Sequence, residues 1–129
     1  MTKKARVLFA RLSFDGHDRG VISVLAACRD AGMEAIYMHY NDPQEVARAA
    51  QEEDVDVVGL TSSMGEHFYV ASGLLEALKE RGLDTPVVVG GVIPTVDEVR
   101  LLRMGVKGVF GPGAAPGEAI RLISQLAAG

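Results

Sequence analysis

The chain has 129 residues, of which 48% are hydrophobic and 23% charged, so the sequence predicts one globular domain over residues 1–129 and excludes a disordered chain. No apolar run approaches the roughly 20 residues of a membrane span, and the N-terminus shows no secretory signal, so we expect a cytoplasmic protein. The net charge of -4, the lack of a basic block and the single cysteine, Cys28, argue against nucleic acid, anionic membranes, a disulfide framework and a metal site of several cysteines.

Short apolar runs, rich in branched residues, recur along the chain and predict buried strands. In chain order they cover residues 6–12, 34–40, 55–61, 86–89 and 107–110. The fourth run is almost purely valine, which suits a strand buried on both faces of a parallel sheet.

A helical pattern follows each predicted strand, with apolar residues at intervals of three and four positions. The clearest stripes are Val21, Val24, Leu25 and Cys28 in the first helix, Phe68, Ala71, Leu75 and Leu78 in the third, and Ala119, Leu122, Ile123 and Leu126 in the last. Asp42 followed by Pro43 predicts the start of the second helix. The spacing of Thr95 and Glu98 predicts a capping box at the start of the fourth helix.

Strict alternation of strands and helices predicts an α/β fold, in which helices cover both faces of a parallel sheet. Five strands in such a doubly wound sheet most often take the flavodoxin-like, or Rossmann-like, order 2-1-3-4-5. A ligand in this fold lies outside the carboxyl ends of the strands, so residues 13–18, 61–66, 90–94 and 111–115 form the candidate site.

The loop after the first strand has the pattern Asp-x-His-x-x-Gly. It reads Asp15-Gly16-His17-Asp18-Arg19-Gly20. Three further sequence motifs, near the ends of later strands, are Val58-Gly59, Gly90-Gly91-Val92-Ile93-Pro94 and Phe110-Gly111-Pro112-Gly113. With these motifs, nearly the whole chain resembles the cobalamin-binding domain, or small subunit, of the adenosylcobalamin-dependent acyl-CoA mutase family, which includes methylmalonyl-CoA mutase.

The residue types in this loop suit a corrin cofactor. A corrin ring supplies four equatorial nitrogens to cobalt, so the protein needs to add only one lower axial ligand, and the imidazole of His17 is a suitable donor. Asp15 can accept the other ring N–H and fix the tautomer. Gly16 allows a tight turn, and Gly20 lets the helix lie close to a bulky cofactor. His17 is therefore the predicted metal ligand.

The resemblance implies that His17 displaces the nucleotide base of the cofactor, and that the freed tail inserts between the sheet and a helix beside the third strand. Small residues suit such a pocket, and the glycines offer bare backbone for close approach. The predicted cofactor-binding set is Arg11, Asp15, Gly16, His17, Asp18, Arg19, Gly20, Gly59, Thr61, Ser62, Ser63, Gly90, Gly91, Val92, Phe110, Gly111, Pro112 and Gly113. No catalytic residue is expected in this chain.

The sequence departs from the family pattern in its third loop and at the end of the first strand, just before the first loop. The family commonly has Ser-x-Leu where this chain has Thr61-Ser62-Ser63, so the tail pocket is expected to be more polar. Many mutases have lysine where this chain has Arg11, which keeps the charge and changes its geometry. Residues 38–41 also match the family poorly. Which acyl-CoA is rearranged stays open.

The resemblance implies the small, cobalamin-binding subunit of an isomerase, in which cobalt–carbon homolysis starts a radical rearrangement of the carbon skeleton of an acyl-CoA. The substrate site is then expected in a larger barrel subunit of about 250 residues or more, within a heterotetramer. Without that subunit the chain is expected to be inactive.

Two alternatives are a corrinoid methyl-carrier protein and a cobalamin-dependent sensor module. Methyl carriers normally have a helical domain before the first strand, whereas about five residues precede it here, which favours the mutase subunit. Two further histidines, His39 and His67, are interpreted as chiefly structural, and Cys28 as a core residue.

Overall fold

Strands and helices alternate along the chain in the computed structural model, which describes residues 4–13, 19–111 and 113–129. The strands in this part of the chain are β1 (Arg6–Leu12), β2 (Glu34–Tyr40), β3 (Val57–Ser62), β4 (Val87–Gly91) and β5 (Gly108–Phe110). The helices are α1 (Arg19–Asp30), α2 (Pro43–Glu52), α3 (His67–Glu80), α4 (Thr95–Met104) and α5 (Pro116–Ala127). Several strand ends differ from the predicted bounds by one or two residues.

The five strands form one parallel sheet in the order β2-β1-β3-β4-β5. This confirms the predicted flavodoxin-like topology and places the switch point between β1 and β3. Phe9 of β1 lies opposite Gly59 of β3, and Thr61 lies opposite Gly90 of β4. The carboxyl ends of these three strands therefore meet at one edge of the sheet.

Alternate residues of the central strands face two apolar cores, one on each side of the sheet. The core under α2, α3 and α4 contains Leu8, Val46, Val58, Leu60, Val70, Leu74, Val89 and Leu101. The core under α1 and α5 contains Val7, Phe9, Val21, Leu25, Cys28, Val57, Val88 and Ile123. Burial raises the pKa of the Cys28 thiol to about 11, which fits the predicted core residue and not a reactive thiol.

The start of α2 is fixed by a capping box, as the Asp42-Pro43 pair indicates. The Asp42 carboxylate accepts a hydrogen bond from the Gln44 N–H at 2.9 Å. In return, the Glu45 carboxylate accepts one from the Asp42 N–H at 3.1 Å. These contacts satisfy N–H groups that a helix start otherwise leaves without partners.

The predicted capping box at Thr95 is wrong. The N-cap of α4 is Pro94, and no side-chain cap is formed. The Pro94 carbonyl accepts the first helical hydrogen bond from the Asp97 N–H at 2.9 Å, so Thr95 already lies inside the helix. The chain thus enters α4 one residue earlier than the Thr95–Glu98 spacing requires.

The buried face of α3 is also rotated from the predicted stripe. Ala71 and Leu78 are buried as expected, whereas Phe68 and Leu75 are only partly buried. The deepest positions are Val70, Leu74 and Ala77. Because α3 packs against both α2 and α4 as well as the sheet, its buried surface is wider than one stripe. Among the described residues, no helix is both long enough and apolar enough to cross a membrane.

Candidate functional site

A cavity of about 410 Å³ opens beside β3, between the sheet and the helices α1 and α5. Its floor is formed by Phe9, Gly59, Thr61, Val88, Gly90 and Phe110, from four neighbouring strands. Its helical walls include Gly20, Val21 and Val24 of α1 and Pro116, Ala119 and Ile123 of α5. Apolar side chains dominate this lining, as in most pockets for small organic ligands.

The structure brings more than half of the predicted site residues together around this cavity. Those that line it are Gly20, Gly59, Thr61, Ser63, Gly90, Gly91, Val92, Phe110, Gly111 and Gly113. Arg11 and Ser62 do not line it. Asp15, Gly16, His17, Asp18 and Pro112 lie outside the described residues, and Arg19 begins α1.

Strand alternation separates the three hydroxyl residues of the third loop. Thr61 and Ser63 share the cavity side of the sheet with Gly59, whereas Ser62 follows Leu60 toward the opposite core. Two of these residues, and not all three, therefore line the cavity.

The Thr61 hydroxyl is the most informative polar group in the cavity. Its oxygen is buried and has no hydrogen-bond partner among the residues the structure describes. An unpaired buried hydroxyl costs about 1–3 kcal/mol, and a polar atom of a ligand would remove that cost. Apolar side chains and glycines make up most of the lining, so Thr61 could fix the orientation of a largely apolar group.

Glycines keep the cavity open and hold its rim close to β3. A Cβ at Gly59 would lie 2.7 Å from ring atoms of Phe9, so a side chain there would displace the ring or fill the cavity. Gly91 has φ 125°, and a Cβ there would collide with the Ser62 carbonyl oxygen. The next residue, Val92, donates its N–H to that same carbonyl at 2.9 Å. The loop after β4 is therefore laid directly on the end of β3.

His67 lies away from the cavity and joins the starts of α3 and α4. Its Nε2 is 2.9 Å from the Asp97 carboxylate, which can only accept, so His67 donates from Nε2. The Arg100 guanidinium stacks on the Phe68 ring, 4.2 Å from its centroid, and adds a second link between the same helices. These contacts fit the structural interpretation of His67.

Sequence reasoning missed several residues that line the cavity, among them Phe9, Val88, Ala119 and Ile123. A signal for Phe9 was present, because it is an aromatic residue two positions before Arg11 on a central strand. Its place opposite Gly59 follows only from the register of β1 and β3. The sequence predicts a core stripe for the α5 residues, and their second role as a cavity wall depends on how α5 packs beside α1.

Comparison with protein families gives a match to the B12 binding domain over residues 5–121. The chain is 43% identical over 127 residues to the pivalyl-CoA mutase small subunit of Xanthobacter autotrophicus, covering 97% of this chain and 85% of that protein. It is 41% identical to the 2-hydroxyisobutanoyl-CoA mutase small subunit of Aquincola tertiaricarbonis, covering 95% and 92%. It is 40% identical to the methylmalonyl-CoA mutase of Escherichia coli over 95% of this chain, but it spans only 18% of that protein.

Two solved structures show the same fold at low sequence identity. A cobalamin-binding protein from Desulfitobacterium hafniense superposes with a TM-score of 0.81 at 20% identity, over 96% of this chain and 60% of that one. A response regulator receiver domain from Francisella gives a TM-score of 0.74 at 17% identity, over 97% and 98%. These likenesses establish the architecture alone, whereas the family match covers nearly the whole chain and agrees with relatives above 40% identity. On that ground the chain belongs to the B12-binding domain family.

Proposed function

We propose that this chain is the cobalamin-binding small subunit of an adenosylcobalamin-dependent acyl-CoA mutase. The observation that carries the proposal is the cavity beside β3, in a chain similar over nearly its full length to two mutase small subunits. The cavity supports a site for the nucleotide tail of the cofactor, at the place that the family resemblance implies.

The residues of the cavity fit the tail of cobalamin. Phe9 and Phe110 offer aromatic surface to a flat heterocyclic base, and Gly59 and Gly90 keep the strand backbone free of side chains. The Thr61 hydroxyl, which has no hydrogen-bond partner among the described residues, offers a hydrogen bond to a polar atom of the tail. The site thus combines apolar burial with a small number of polar contacts, which is what recognition of such a group requires.

The segment between Ser13 and Arg19 supplies the residues for the metal. In our proposal His17 would hold the cobalt of the cofactor, and Asp15 would accept the second ring N–H of His17 and so set its tautomer. When bound, adenosylcobalamin supplies a cobalt–carbon bond whose homolysis starts the radical rearrangement. This chain binds the cofactor, orients it and contributes no group that reacts with the acyl-CoA.

We also propose that a larger subunit of barrel form carries the acyl-CoA site and assembles with this chain in a heterotetramer. Two relatives are named small subunits, and the part of the Escherichia coli mutase that matches this chain is a minor fraction of a much longer protein. Val92, which lines the cavity, is 58% exposed, and Met64, which follows the lining residue Ser63 in the chain, is 55% exposed. Such apolar surface fits a contact with a partner, and a cover would keep water away from the reacting centre.

The proposed separation of the cofactor site and the substrate site between two subunits predicts that isomerase activity requires both of them. With adenosylcobalamin, this chain alone is expected to isomerise no acyl-CoA, because it lacks the substrate site. Addition of a large mutase subunit is expected to give a cofactor-dependent complex and isomerase activity. Size-exclusion chromatography and an acyl-CoA isomerisation assay measure both, with the large subunit alone as control. Isomerisation by this chain alone would contradict the proposal, and methyl transfer without isomerisation would favour the methyl-carrier alternative.

A bulky side chain at Ser63 tests the tail pocket. Because Ser63 lines the cavity, Ser63→Phe is expected to weaken cobalamin binding by at least about tenfold, or about 1.4 kcal/mol. Cobinamide, which lacks the nucleotide base, is expected to bind as before. Ser124→Phe, at an exposed position of α5, is the matched control. Titration of both corrinoids, followed by absorbance, measures the effect, and equal weakening for cobalamin and cobinamide would contradict the placement.

A further inference from the structure

His67 is the buried residue at which the loop after β3 ends. The residues from Ser63 to Glu66 are half-buried or exposed, whereas His67 is only 4% exposed. Within the loop, the Glu66 carboxylate accepts a hydrogen bond from the Met64 N–H at 3.0 Å. The first residue of the loop, Ser63, lines the cavity. The position of this part of the cavity rim therefore depends on where His67 is held.

Asp97 holds His67 from the start of α4. The His67 Nε2 donates to the Asp97 carboxylate at 2.9 Å, and the Nδ1 of the ring is buried without a hydrogen-bond partner among the described residues. In the part of the chain that the structure describes, Asp97 is thus the one hydrogen-bond partner of this imidazole. Because the ring is buried, its N–H cannot turn to bulk water instead, so the contact constrains the starts of both helices.

The helix that carries Asp97 begins directly after the second loop that lines the cavity. Gly91 and Val92 belong to that lining, and Asp97 follows five residues after Val92. At the strand ends, the Val92 N–H donates to the Ser62 carbonyl at 2.9 Å. The loops after β3 and β4 are therefore joined twice, by this backbone hydrogen bond where they leave the sheet and by the His67–Asp97 pair where they enter their helices.

We propose that His67 and Asp97 are positioning residues for the tail pocket: their contact fixes the loops after β3 and β4 against each other and so sets this part of the cavity rim before the cofactor binds. The inference rests on the proposed function, since it takes the cavity as the site of the nucleotide tail. Neither residue lines the cavity, so their effect on binding passes through the loops. A rim that is already ordered binds its ligand without the cost of ordering loop residues on association.

The test compares variants that remove the contact with variants that keep it. His67→Leu removes the donor and Asp97→Ala the acceptor, whereas His67→Gln keeps a side-chain N–H and Asp97→Asn keeps a side-chain carbonyl oxygen. Glu118→Ala is the matched control, because Glu118 is an exposed carboxylate at the third residue of α5, as Asp97 is at the third residue of α4. It removes the same favourable charge from a helix start without touching the pair. The full chain with the large mutase subunit is titrated with cobalamin and with cobinamide, followed by absorbance, and thermal unfolding is recorded in parallel.

His67→Leu and Asp97→Ala are expected to weaken cobalamin binding by about tenfold and cobinamide binding by less than about threefold, because only the tail needs the ordered rim. His67→Gln, Asp97→Asn and Glu118→Ala are expected to stay within about threefold of the unsubstituted chain for both corrinoids. If His67→Leu does not fold, the Asp97 variants decide, because that side chain is 27% exposed.

A purely structural role of the pair would lower the unfolding temperature and leave the ratio of the two affinities unchanged, and that outcome would overturn the inference. An equal loss of the preference for cobalamin in Asp97→Asn and Asp97→Ala would also overturn it, because the first variant keeps the acceptor. The proposed function fails separately, if the unsubstituted chain binds no cobalamin together with the large subunit, and the inference then falls with it.

Discussion

Replacement of His17 by alanine is expected to abolish the histidine-bound spectrum of cobalamin and to weaken its binding by at least about tenfold. The corrin ring supplies the four equatorial nitrogens of cobalt, so the imidazole of His17 is the single predicted bond between the chain and the metal. The variant loses that bond. The absorption spectrum of the bound cofactor and a binding titration measure the two effects. A variant with an unchanged spectrum would contradict the assignment of His17.

Asp15→Asn is expected to have a milder effect than His17→Ala on the same two measurements. Asparagine keeps a hydrogen bond to the imidazole but removes the negative charge that strengthens it, so the loss is expected to be smaller than for His17→Ala. A spectrum that still shows histidine ligation, together with a reduced affinity for cobalamin, would indicate that Asp15 supports His17 through a hydrogen bond and does not itself bind cobalt. An Asp15→Asn effect larger than that of His17→Ala would contradict this order.

The fold was predictable because local pattern and global topology agree in this chain. The runs at residues 6–12 and 34–40 have the bounds of β1 and β2, and the glycine-rich ends of later strands mark the edge where the cavity lies. What sequence could not supply was register and packing. The 2.7 Å contact between the Arg11 guanidinium and the His39 ring exists because β1 and β2 pair with these two residues opposite each other, and no local pattern encodes that pairing.

The receiver domain comparison shows why topology alone does not decide function. That domain shares the architecture at a TM-score of 0.74, yet the family match separates this chain from it. In this chain the residues at the carboxyl edge of the sheet shape the cavity: Gly59 and Gly91 have no side chains, and the Thr61 hydroxyl has no hydrogen-bond partner among the described residues. A common scaffold therefore carries different sites according to the residues that end its strands.

The adjacent glycines that end β4 offer a matched pair of variants, because their backbones differ. At Gly90 an added Cβ would be 3.5 Å from the Phe110 carbonyl oxygen, which is an ordinary contact. At Gly91 the φ of 125° lies in a region that side chains rarely adopt, and the Cβ would meet backbone that cannot move without breaking the Val92–Ser62 hydrogen bond. The two substitutions add the same methyl group at neighbouring positions, so composition and unfolded-state effects largely cancel between them.

Gly91→Ala is expected to lower the free energy of unfolding by more than about 3 kcal/mol, since backbone strain of about 1–3 kcal/mol adds to the collision with Ser62. Gly90→Ala is expected to change it by less than about 1 kcal/mol, because alanine is tolerated in an extended strand. Since Gly90 lines the cavity, its variant is expected to weaken binding of cobalamin more than that of cobinamide. Denaturant unfolding and the two corrinoid titrations separate these effects. Equal stability of the two variants would contradict the role of Gly91 in holding the cavity rim on β3, and unaltered cobalamin binding by Gly90→Ala would remove Gly90 from the tail pocket.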